Sequence, residues 1–159
     1  MATRSTELTA DEAAGLLLDR LARRACGLVR VGGDRNLILG FGAVRQSRIR
    51  PRAEVELGVE DCAWRVSRGA AVLCGRNDAV DAVAELQDRL SAVDVGRLVA
   101  VDELSGFDVR FRFSSGLNVD VLTTVSDDDD TLNVFFTDEV LAFSPARGWR
   151  FGRSDEPWA

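Results

Sequence analysis

The chain has 159 residues, of which 46% are apolar and 29% charged, with only three prolines, a balance that fits one folded domain rather than a disordered or fibrous chain. It contains no His, Lys or Tyr, which excludes Ser-His, Cys-His and Ser-Lys nucleophiles, Schiff-base amines and phenolic acids. A net charge of −6 argues against broad nucleic-acid binding, because neutralising phosphates supplies most of the non-specific affinity there.

In chain order, Thr9 followed three residues later by Glu12 forms a capping-box signature. Ala14, Leu17, Leu18, Leu21, Ala22 and Ala25 then recur at helical spacing until Gly27 stops the helix. Strand-like segments follow at 27–31, 37–42, 54–57, 64–66 and 72–74, with Ser67-Arg68-Gly69 as a hairpin turn. A second helix is expected from Asn77 as N-cap, with Val80, Val83, Ala84, Leu86, Leu90 and Val93 as its stripe. Strand-like segments return at 96–101, 109–113, 118–121, 132–134 and 140–142, with Ser114-Ser115-Gly116 as a turn.

The same order of elements thus occurs twice, about 68 residues apart. The expected fold is α+β: two tandem repeats, 9–76 and 77–151, each a helix followed by an antiparallel meander, joined as one pseudo-twofold domain with a tail at 152–159. The repeats differ in charge, since residues 1–76 hold 13 Arg against 9 acids and residues 77–159 hold 7 Arg against 17. That asymmetry lets the halves attract one another, or present two differently charged faces to a partner.

Arg45, Arg48, Arg50 and Arg52 fall within eight residues beside Pro51, without interleaved aromatics. They are the candidate partner-binding segment and suit an acidic protein surface better than single-stranded nucleic acid. The alternative is a strand edge kept from aggregating by charge and proline. Trp149 and Trp158 are further candidates, as interface anchors or as clamps over the sheet, while Trp64 is expected in the core. Asp127, Asp128, Asp129 and Asp130 are weak candidate ligands for a hard cation; adjacent acids without interspersed spacing read first as a solvated turn. Cys26, Cys62 and Cys74 have neither paired spacing nor a base to activate them. No metal site or cofactor is expected.

The N-terminus has no apolar signal core and no apolar run reaches membrane-spanning length. With three thiols and an all-arginine cation content typical of a GC-rich bacterial genome, this leads to the expectation of a cytoplasmic protein. The order Trp64-Arg65-Val66, Ala71-Val72-Leu73-Cys74-Gly75, Asn77-Asp78, Gly96, Leu98-Val99-Ala100-Val101, Phe111-Arg112-Phe113, Gly116 and Gly148-Trp149 resembles small actinobacterial α+β domains of unknown function, some immunity-protein-like. The resemblance carries no catalytic residue and implies a non-enzymatic interaction protein with a protein partner. Two alternatives stay open: a metal-assisted hydrolase using Asp102, Glu103, Asp120 and the Asp127–Asp130 run, and a structural homodimer formed by sheet extension.

Overall fold

In the computed structural model, which describes residues 5–126 and 128–155, Thr9 caps the first helix as the sequence requires. The Glu12 amide donates to Thr9 Oγ1 at 3.2 Å and the Thr9 amide donates to Glu12 Oε2 at 2.8 Å. Helix α1 spans Ala10–Leu21 and buries Ala13, Leu17 and Leu21; β1, Thr6–Leu8, precedes it. The chain then forms β2 (Ala25–Val31), β3 (Leu37–Arg45), β4 (Arg52–Val59), β5 (Ala63–Arg68) and β6 (Ala71–Gly75). After α2 (Val83–Ser91) come β7 (Gly96–Glu103), β8 (Val109–Phe113), β9 (Leu117–Leu122), β10 (Leu132–Phe135), β11 (Glu139–Ser144) and β12 (Gly148–Arg153).

These strands form one antiparallel sheet in the order β1-β12-β11-β10-β4-β3-β2-β7-β8-β9-β5-β6. The expected α+β architecture is therefore corrected: the protein is mainly β, with two short helices, and the strands of each sequence repeat do not stay together as a helix-plus-meander unit. After the meander β2-β3-β4 the chain crosses over and lays β5-β6 beside β9, and after the meander β7-β8-β9 it returns to lay β10-β11-β12 beside β4. The helices cross in the same sense, α1 packing on β7 and α2 on β2. Among the described residues the two halves of the sheet join only where Ala25 and Cys26 of β2 pair with Arg97 and Gly96 of β7.

Register follows the period-2 pattern, which brings apolar rows from successive strands onto the core face. Val31, Leu37, Val59, Leu132, Phe143 and Trp149 are successive cross-strand partners in one half, and Trp64, Val121 and Val109 are partners in the other. All belong to one apolar cluster that also takes in both helices. Phe41 of β3 stacks on Phe113 of β8 with ring centroids 6.3 Å apart, so aromatic packing bridges the narrow backbone join. Gly40 is required by close approach, since a Cβ there would lie 2.6 Å from that of Ala53 and 2.8 Å from that of Leu28.

Both helices differ from their sequence expectation at an end. The first stops at Leu21 rather than running to Gly27, because Ala25 and Cys26 are taken into the β2–β7 pairing. The second starts at Val83 rather than after Asn77, and Ala82 offers it no side-chain cap. The cause lies across the fold: Arg35, in a left-handed conformation with φ of 59°, donates from its guanidinium to the carbonyls of Arg76, Asp78 and Val80. The Asp78 and Val80 carbonyls, which a helical turn from Asn77 would have used, are thereby occupied. The expected tail also begins inside β12, where Gly152 and Arg153 pair with Val140 and Glu139. No helix among the described residues is long and apolar enough to cross a membrane.

Candidate functional site

The arginine-rich segment forms the connection between β3 and β4, and local chemistry shapes it. Ser47 Oγ accepts from the amides of Ile49 and Arg50 and donates to the Arg50 carbonyl at 2.6 Å, closing a tight turn before Pro51 removes the next donor. Ile49 is left 93% exposed at the tip, between Arg48 and Arg50.

The four arginines do not share one environment. Arg50 reaches buried Glu56 at 3.3 Å and Arg52 reaches the same carboxylate at 3.8 Å. Arg30, on β2 beyond β3, adds a third guanidinium near Glu56; burial first, then the like charge of Arg50, holds it below the ordinary guanidinium range. Arg45 and Arg48 are exposed and pair with no carboxylate among the described residues. Arg45 also stands directly opposite Arg52 in the β3–β4 register, an arrangement in which like charges oppose strand pairing.

Beside this turn lies a cleft of about 690 Å³ between the C-terminal end of α1, the base of the β3–β4 connection and the residues joining β10 to β11. Arg20 and Arg24 line it but are already paired, with Glu139 at 3.0 Å and Glu54 at 3.2 Å, and Arg20 also sits over the Phe136 ring at 5.2 Å. Arg45 and Arg52 complete the wall, with Asp138 also lining the cleft. The sequence pattern did not reveal this cleft, because its parts lie far apart in the chain and only Arg45 and Arg52 carry a local signal.

The remaining candidates are placed elsewhere. Trp149 is a β12 residue only 6% exposed, packed on Phe143 at 5.0 Å between ring centroids. Trp158 and Asp127 lie outside the described residues. Asp130 pairs with Arg150, and Arg147 lies 3.8 Å from Asp128, so the acidic run is tied to the β11–β12 end of the sheet. Asp102 pairs with Arg112 at 2.6 Å, and Asp120 is enclosed between Arg65 and Arg110. Among the described residues no three His, Cys, Asp or Glu side chains are grouped to hold a metal ion. The cysteines are free, and burial pushes the thiols of Cys26 and Cys74 up to about 11 and that of Cys62 to about 12, against thiolate chemistry near neutral pH.

Comparison with protein-family models, curated proteins and solved structures finds no match to this chain.

Proposed function

We propose that this is a cytoplasmic, non-enzymatic binding protein that holds an acidic protein partner through the β3–β4 connection, in the manner of an immunity-type interaction module. The observation that carries the reading is the pair Arg45 and Arg48: two exposed guanidiniums without carboxylate partners among the described residues, just before an almost fully exposed Ile49, on a chain that is acidic overall. An exposed aliphatic anchor in an arginine-rich turn suits an interface in which charge steers the encounter and the apolar group is desolvated at its centre. The three free cysteines fit a reducing compartment. The test is affinity capture from lysate by the tagged chain beside an Arg45→Glu/Arg48→Glu variant, which spares the arginines bonded to Glu56. One stoichiometric partner, held about tenfold or more weaker by the variant and released by salt, is the expected result. A partner retained equally by both forms rules out this surface.

A second reading, homodimerisation by sheet extension, is favoured by the edge strand β6. It ends the sheet with the sequence Ala71-Val72-Leu73-Cys74-Gly75, without charge or proline, and leaves Val72 61% exposed. At the opposite edge, β1 is only three residues long and contains Glu7. Light scattering at micromolar concentration should then give a dimer that Val72→Lys converts to monomer. Monomer for the unmodified chain removes this reading.

A further inference from the structure

A second cavity of about 290 Å³ opens at the N-terminal end of α1, away from the arginine-lined cleft. It is built from three separate parts of the chain: Leu8 and the first turns of α1, the β7–β8 loop with Phe107, and the start of β12 with Trp149. Its floor is apolar, and Phe107 stands 58% exposed at its wall. The charged groups lining it among the described residues are Asp11 and Glu103; no arginine contributes, although the chain has twenty. Neither carboxylate makes an ion pair or side-chain hydrogen bond among the described residues, unlike Asp102 and Asp120 on the same half of the sheet. At this end of α1 the Thr9–Glu12 capping box takes the Glu12 amide, and Asp11 adds its own carboxylate to the first turn.

We infer that this cavity binds a small organic cation, an amine on an aromatic or aliphatic body. The body fills the apolar floor against Trp149 and Phe107, and the ammonium faces Asp11 and Glu103. A matched anion is repelled by the two carboxylates, neither of which has a side-chain cation beside it among the described residues, whereas a neutral molecule gains only the apolar burial. The aromatic faces add a further attraction that only a cation receives. The inference is independent of the β3–β4 surface, with which it shares no residue.

The test uses three probes of one shape and different charge, phenethylammonium, phenethyl alcohol and phenylacetate, titrated into the full-length chain and followed by amide and indole NMR shifts. Phenethylammonium is expected to move the Gly106 amide and the Trp149 indole signal and to bind about five- to tenfold tighter than the alcohol, with phenylacetate weakest. The Asp11→Asn/Glu103→Gln variant should abolish the preference for the cation while leaving alcohol binding unchanged, a control that also reports correct folding. Equal binding of all three probes, absence of phenethylammonium binding at millimolar concentration, or a cation preference that survives the double variant overturns the inference. So does a concentration-dependent shift of the same signals without any probe, which would place a second copy of the chain in the cavity.

Discussion

Replacing Asp120 with Asn is expected to lower stability by about 2–4 kcal/mol, read as a reduced urea midpoint with an unchanged slope. Asp120 lies on β9 with no exposed surface, between Arg110 on β8 and Arg65 on β5. Arg110 Nε donates to Oδ1 at 2.6 Å and Arg65 Nε donates to Oδ2 at 3.1 Å, so one carboxylate ties three strands. Asn keeps the shape but leaves two neighbouring guanidiniums without their counter-charge. The guanidiniums are partly exposed, which places the loss below that of a wholly buried pair. Replacing all three groups by apolar residues, Asp120→Leu with Arg65→Met and Arg110→Met, should recover most of the loss, because the triad must first offset its own desolvation.

The same carboxylate sets an acid limb of stability. Burial pushes its pKa upward most strongly, but the hydrogen bonds and charges of Arg110 and Arg65 together outweigh burial and hold it below the ordinary carboxylate range. A folded-state pKa below the unfolded one contributes stability that is fully present above the unfolded value of about 3.9 and is lost as pH falls through the folded value. The gap between the unmodified chain and Asp120→Asn should therefore be widest near neutrality and narrow below about pH 4. A gap independent of pH would mean that the carboxylate's charge is not what ties the strands.

Local chemistry made much of the secondary structure readable, and long-range pairing made the fold unreadable. Thr9 and Glu12 act within one turn, and Val109, Phe111 and Phe113 alternate with arginines on one strand, so their roles follow from spacing alone. Nothing in Leu132-Asn133-Val134 says that its partner is Val59-Gly58-Leu57, because an apolar alternating strand satisfies any similar neighbour. The late start of α2 was hidden for the same reason, since it depends on Arg35 in the loop between β2 and β3. Of the proposed partner surface, the Arg45–Arg52 segment was legible because its charge is contiguous in sequence. Its division into two arginines committed to Glu56 and two without carboxylates among the described residues was not, nor was the cavity that joins Asp11 to Trp149.

The exchange of strands has its largest consequence for the chain cut between residues 76 and 77. In fragment 1–76, β4 would lose β10, β5 would lose β9 and β2 would lose β7, leaving a three-stranded meander and a separate hairpin with no pairing between them. Fragment 77–159 would likewise hold β7-β8-β9 and β10-β11-β12 without a shared edge, and each helix would lack the strand on which it packs. Small unsupported sheets of that kind are at best marginally stable in water. Each fragment alone should show no cooperative unfolding transition. An equimolar mixture should regain the full β-sheet signal, because opposite net charges of +4 and −10 draw the fragments together and every lost pairing is restored between chains. That recovery should slow as salt rises. A cooperative transition in either fragment alone would show that a sequence repeat is a folding unit in its own right, and that the exchanged strands are added to a stable body rather than needed to form one.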